Sequence, residues 1–198
     1  MRRGLQPRSQ NSGRVALLAL DLITDFDFPD GPAVRRALSR RAPAIRRLLA
    51  SARKHRVPVI YANDNLGAWR SDAPALIAHC TRGDSPGAEL VKDLSPALTD
   101  DIILKPRHSA FYGTPLEALL ADRRIDTLLL VGISAESCVW MTACDAHTRG
   151  FSLIIPADTM AGASLRALRA TLTGLKDVLG ARVPVRADSL RLASRRLS

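Results

Sequence analysis

The sequence predicts an α/β fold: one three-layer αβα domain built on a mostly parallel sheet of about six strands. Three observations predict it. Short, continuous apolar runs recur along the chain, which is how a strand covered on both faces reads. Each run is followed by a stretch of helical spacing, and strands alternating with helices form parallel units with right-handed crossovers. Finally, 198 residues with 46% hydrophobic and 24% charged content are enough for a single domain with a substantial core. The boundaries predicted are a flexible basic tail over residues 1–13 and the domain over residues 14–198.

Val15 to Leu20 reads as a first buried strand, closed by the carboxylate of Asp21. A loop follows through Asp25, Phe26 and Asp27 to Gly31. Pro32 can start a helix, and Val34, Leu38, Ile45, Leu48 and Leu49 keep helical spacing to about His55, with Pro43 as a break or kink. Residues 57–62 read as a second strand, leading into the polar loop from Asn63 to Arg70, which carries Trp69. A short helix is expected around residues 74–80, residues 81–88 are turn-rich, and residues 89–96 give no clear assignment. Asp101 to Lys105 is a third strand that ends in a cation. Beyond it, Thr114 as a cap, Pro115 in the first position and Glu117 make a capping box.

Thr127 to Val131 is the fourth strand, and Gly132 ends it. Ser134 is placed to cap the next helix, Glu136 suits its first turn and Gly150 its C-terminal cap. Cys138 therefore falls in or beside the first turn. There the positive end of the helix and unpaired backbone donors favour a thiolate. Residues 151–156 form a fifth strand, Asp158 caps a helix over about 162–179, and residues 183–185 make a short sixth strand.

Composition excludes several classes. No apolar run is long enough to cross a bilayer, and the basic start lacks the apolar length and cleavage site of a signal peptide. A cytoplasmic protein without a membrane partner is expected. Cys80, Cys138 and Cys144 have neither metal nor redox-motif spacing, and an odd count does not suggest a disulfide framework. Cys144, six residues beyond Cys138, points the other way on one helix and reads as structural. The net charge of +10 invites a nucleic-acid reading. Yet the arginines are scattered in pairs with no aromatic platform among them, so a solvated surface is expected and a nucleic-acid partner is not. Only four of the 29 basic residues are lysines, which singles out Lys105.

Asp21, Lys105 and Cys138 thus close the first and third strands and follow the fourth. Ligands of open parallel sheets bind at the carboxyl ends of the strands. An acid, a cation and a thiol on that edge can divide nucleophilic catalysis: Lys105 holds the thiolate below its ordinary pKa of about 8.5, and Asp21 moves the proton. The plainer alternatives are a strand-end ion pair and a core cysteine.

These residues resemble the isochorismatase-like cysteine hydrolases, which include nicotinamidases and N-carbamoylsarcosine amidohydrolases. The resemblance runs from about Val15 to Asp158. It rests on Ala19-Leu20-Asp21 with Asp25-Phe26, on Lys105 followed by Ser109 to Thr114, on Val131 to Val139, and on Thr142 to Ala146 with Gly150-Phe151. It implies catalytic roles for Asp21, Lys105 and Cys138 and an acyl-enzyme on Cys138. It also implies a cis peptide between Ile133 and Ser134 that makes an oxyanion hole of the Ser134 and Cys138 N–H groups. A homo-oligomer is implied as well. Ile23 stands where many members carry glutamine.

Nicotinamidases hold a metal with an aspartate and two histidines after the second strand, a pattern absent from residues 63–69. His55, His79, His108 and His147 are too dispersed for a metal site, so neither metal nor cofactor is expected. Phe26, Asn63, Trp69, Phe111 and Tyr112 are the candidate substrate-binding residues, while Asp145 and Asp158 read as structural. The expected function is metal-independent hydrolysis of a C–N bond in a small amide or carbamoyl substrate. The alternatives are a non-catalytic small-molecule or regulatory binding protein on the same fold, or a nucleic-acid-binding protein.

Overall fold

Unbroken apolar runs become a five-stranded parallel sheet in the computed structural model. The strands are β1 (Val15–Leu20), β2 (Val59–Asp64), β3 (Asp101–Lys105), β4 (Thr127–Gly132) and β5 (Ser152–Ile154), in the order β3-β2-β1-β4-β5. The structure describes residues 13–189 and, beyond them, the backbone of the pairs Leu192–Ala193 and Arg196–Leu197, which run antiparallel. The basic tail expected over residues 1–13 lies outside the described residues apart from Gly13. Every residue of the central β1 is buried, whereas the edge strand β3 alternates and leaves Ile102 exposed. That contrast follows from position in the sheet, since only inner strands are covered on both faces.

The helices are α1 (Gly31–Lys54), α2 (Ala73–Cys80), α3 (Ala88–Asp93), α4 (Leu116–Asp122), α5 (Trp140–Thr148) and α6 (Leu165–Asp177). α1 continues through Pro43 without interruption. The chain winds outward from β1 to β3, crosses back, and winds outward again through β4 and β5. Right-handed crossovers place the helices of the two halves on opposite faces. The direction changes between β1 and β4, which opens a crevice at their carboxyl ends.

Several expectations need correction. The sixth strand is reduced to a bridge between Ile154 and Arg182, with Ile155 donating to the Arg182 carbonyl. β2 begins two residues later than expected, because Pro58 has no N–H, and it extends through Asn63 and Asp64 to pair with Leu104 and Lys105. Ser164, not Asp158, caps α6 by accepting from the Ala167 N–H; Asp158 accepts instead from Ala187. No capping box forms at α4. The Thr114 hydroxyl accepts from Leu116 and donates to the Ala110 carbonyl, and Glu117 reaches Arg149. Ser134 makes no side-chain cap; its carbonyl accepts from Ser137 and Val139, and residues 135–139 form a wide π-type turn ahead of α5.

Gly132 sits where β4 leaves β1, with φ at +125°, and a Cβ there would lie 2.0 Å from the Leu20 carbonyl oxygen. Gly132→Ala is therefore expected to lower stability by more than about 2 kcal/mol, backbone conformation alone costing about 1–3. The urea midpoint measures it, and an unchanged midpoint would refute the close-approach argument.

Candidate functional site

Three strand ends build the site. β1 ends in Asp21, whose φ of +50° turns the chain out of the strand, a conformation aspartate tolerates better than most residues. β3 ends in Lys105, and β4 leads through Ile133 and Ser134, joined by a cis peptide, to Cys138. The register sets Leu20 beside Ala62 and Gly132, so these ends share one edge of the sheet.

The structure brings the three predicted residues together. Lys105 is fully buried, and its Nζ lies 3.0 Å from Asp21 Oδ2 and 3.9 Å from Asp64 Oδ2. It donates to Cys138 Sγ at 3.5 Å and to the Arg107 carbonyl at 3.3 Å. Asp21 Oδ1 accepts from the Asp64 N–H at 2.7 Å, while Oδ2 is buried facing the Lys105 ammonium. Burial raises the Asp21 carboxyl above its ordinary range despite the opposing pull of Lys105. Burial is the largest single influence on the Lys105 ammonium and disfavours it, but the charges of Asp21, Cys138 and Asp64 and the hydrogen bond to Asp21 together outweigh it and hold the group above its usual value.

Cys138 departs from expectation. Burial, with the Asp21 carboxylate as the next cause, pushes its thiol up to about 12, and Lys105 only partly offsets this. The resting residue is a thiol beside a carboxylate rather than a preformed thiolate. Alkylation of Cys138 by iodoacetamide, followed by peptide mass mapping, is accordingly expected to accelerate steadily from pH 7 to 10. A plateau below pH 8 would contradict this.

Cys138 opens onto a cavity of about 350 Å³ lined by Asp21, Ile23, Thr24, Asp25, Asp27, Phe28, Asp64, Leu66, His108, Ile133, Ser134 and Ser137. The five candidate substrate-binding residues lie outside that lining. Phe26 is held in the core against Gly87, where an added Cβ would lie 2.2 Å from its ring. Asn63 is fully buried and donates to the Ile23 carbonyl at 2.8 Å, which anchors the loop after β1. Phe111 is buried against Phe151 with the Arg149 guanidinium over its ring. Trp69 and Tyr112 are exposed.

Residues that sequence reasoning missed include His108, whose Nδ1 lies 3.3 Å from Ser137 Oγ and 3.7 Å from Cys138 Sγ. Its position three residues past Lys105 was the available signal. Asp145 acts structurally, as expected: it pairs with Ser109 and Arg149 and so fastens the loop after β3 to α5, with Thr142 accepting from Ala110. Glu136 ties the π-type turn to the segment after β5 by accepting from the Ala163 N–H. Trp140 packs within the molecule, its ring against Gly174 of α6.

A larger hollow of about 600 Å³ at the opposite edge of the sheet is lined by four arginines, but Arg53 pairs with Asp100 and Arg123 with Asp101. It contains no cysteine, whereas Asp21 and Cys138 both line the smaller cavity. Among the described residues no group of three or more His, Cys, Asp or Glu could hold a metal ion, so the metal of the nicotinamidase pattern finds no fitting ligand set here. Among the described residues, no helix is long and apolar enough to cross a membrane.

A thiol, a carboxylate and an ammonium converging at the carboxyl edge of a doubly wound sheet define a class, and comparison with known proteins agrees with it. The Isochorismatase domain model matches residues 15–184, and the chain belongs to that family. An uncharacterised isochorismatase family protein of Bacillus subtilis is 34% identical over 168 residues, covering 85% of this chain and 92% of the relative. The N-carbamoylsarcosine amidase of an Arthrobacter species is 32% identical over 170 residues, covering 80% of this chain but 63% of that enzyme. Among solved structures, the N-carbamoylsarcosine amidase of Thermoplasma acidophilum superposes with a TM-score of 0.67 at 28% identity, covering 89% of this chain and 98% of that one.

Proposed function

We propose that the protein is a cysteine hydrolase that cleaves a C–N bond in a small amide or carbamoyl compound. The observation that carries this reading is the contact chain from Cys138 Sγ to Lys105 Nζ at 3.5 Å and on to Asp21 Oδ2 at 3.0 Å. The amidase relatives support the choice of bond. Asp21, buried against the Lys105 ammonium and beside Cys138, takes the thiol proton as Sγ attacks the carbonyl carbon. A raised carboxyl suits that task, since it narrows the gap between acid and base. Lys105 stays charged and offsets the negative charge that moves from Asp21 to sulfur.

The tetrahedral oxyanion would rest on the N–H groups of Ser134 and Cys138. Ser134 lines the cavity, and no acceptor among the described residues takes its N–H. Collapse breaks the C–N bond, and the amine leaves with the proton held by Asp21. Water, deprotonated by Asp21, then hydrolyses the thioester and restores the thiol. The three free cysteines suit a reducing compartment, and we extend the proposal to the cytoplasm.

The test is a screen of small amides and ureides with detection of released ammonia or amine, coupled to intact-mass trapping after acid quench. A mass gain equal to the acyl group, located on the Cys138 peptide, is expected. Turnover with the acyl group on another residue, or with none on any, would overturn the mechanism.

A further inference from the structure

The charge of the cavity runs against the charge of the chain. The protein as a whole carries +10, yet the charged side chains lining the Cys138 cavity are four carboxylates, Asp21, Asp25, Asp27 and Asp64. Among the described residues, no lysine or arginine lines the cavity. Lys105 lies beneath the floor, fully buried, with its donors engaged by Cys138 Sγ and the Arg107 carbonyl and its charge set against Asp21. Asp21 and Lys105 cancel as a pair, and although Asp64 lies 3.9 Å from the same ammonium and Asp25 2.8 Å from His79, carboxylates outnumber the lysines and arginines facing the cavity among the described residues.

Asp25 is fixed in place: Oδ1 accepts from the Asp27 N–H at 3.0 Å, and Oδ2 lies 2.8 Å from His79 Nε2. Despite partial burial, those two contacts hold its carboxyl below the usual range, so it is ionised at neutral pH. Asp64 Oδ1 accepts from Leu66 at 2.7 Å. The remaining walls are apolar: Ile23, Phe28, Leu66 and Ile133. Capturing a substrate carboxylate takes a guanidinium, an ammonium or a nest of N–H groups; the Ser134 and Cys138 N–H groups are already assigned to the reacting oxygen, and the charged side chains around them are carboxylates.

We propose that the Cys138 cavity selects compact uncharged or cationic amides and rejects amides that carry a carboxylate. This rests on the amide-hydrolase reading of the same site. Clefts lined by one sign of charge concentrate the opposite ion and exclude their own. Asp27, on the rim and exposed, sets this discrimination together with Asp25 and Asp64, while Ile23 and Phe28 accept the apolar body of the substrate.

Two measurements separate the selectivity from the chemistry. The first uses methanethiosulfonates of matched size, one ending in trimethylammonium and one in sulfonate. Each transfers its thioalkyl group to the Cys138 thiolate, forming a disulfide and releasing methanesulfinate. The rate ratio at Cys138, read by peptide mass mapping at pH 9, cancels the thiolate fraction. Dividing by the same ratio in urea-unfolded protein removes the intrinsic reactivity of the reagents.

The cationic reagent is expected to be favoured by roughly tenfold or more at low salt, falling in Asp27→Asn and at high salt. A native ratio no higher than the unfolded one, a ratio unchanged in Asp27→Asn, or a Cys138 that neither reagent reaches would each overturn the proposal.

The second measurement compares butanamide, 4-aminobutanamide and succinamate as substrates. kcat/KM for the first two is expected to exceed that for succinamate by about tenfold or more. Preference for succinamate would overturn the proposal. Failure to turn over all three would count against the hydrolase reading, while the reagent ratio still decides the charge selectivity.

Discussion

Lys105→Met is expected to lower the free energy of unfolding by about 3–5 kcal/mol near neutral pH, because it leaves the Asp21 carboxylate buried without its cation. The lysine side chain is fully buried and Asp21 nearly so, so solvent offers little relief. The pH dependence has a definite sign. Burial already raises the Asp21 carboxyl above its unfolded value of 3.8, and removing Lys105 takes away the strongest opposing influence. A group raised in the folded state favours folding below its unfolded pKa and loses that contribution as pH rises through the folded value. The deficit of the variant should therefore shrink toward pH 4 and be largest at neutral pH.

Urea unfolding across that range measures it. Asp21→Asn combined with Lys105→Met should recover at least half of the loss, since a neutral amide replaces the stranded charge. A single variant as stable as the wild type at pH 7 would mean that water reaches the pair and that the buried arrangement is not what holds this edge together.

The largest effect on activity falls on Cys138. Cys138→Ala is expected to reduce kcat/KM by on the order of 10⁴-fold or more for any amide found to be a substrate, because no covalent step remains. The same variant should change stability by no more than about 1 kcal/mol, the side chain being only half-buried and the substitution small. The two readouts together exclude misfolding as the cause. Retention of more than about a hundredth of the wild-type rate would show that water is activated directly and that the thiol is not the nucleophile.

Much of the architecture could be read from the residues, because β1, β3 and β4 are continuous apolar runs and each leads to a residue with ionisable chemistry. Asp21, Lys105 and Cys138 stood out for that reason, and backbone register alone was enough to gather them. The walls of the cavity were harder. Phe26, Phe111, Trp69 and Tyr112 were chosen because large aromatics fill pockets, but the direction of a side chain depends on contacts distant in sequence. Phe26 turns into the core because Gly87, sixty-one residues away, leaves room for its ring. Asp64 enters the lining because β2 runs two residues beyond the end expected at residue 62. The protonation of Cys138 was misjudged for a similar reason. Helix position and a nearby lysine argued for a thiolate, while burial and the Asp21 charge, which only the folded arrangement reveals, argue more strongly for a thiol.

The ammonium of this site is carried by the outermost strand. Among the described residues, β3 pairs with β2 alone, whereas Asp21 and the turn bearing Cys138 hang from the inner strands β1 and β4. Margins of a sheet open at lower free energy than its centre. Fraying of one peripheral element would withdraw Lys105 and dismantle the cluster while the interior stayed intact. Loss of activity on warming or in mild denaturant would then run ahead of global unfolding, and the working range of the protein would be set by the docking of five residues rather than by the stability of the whole.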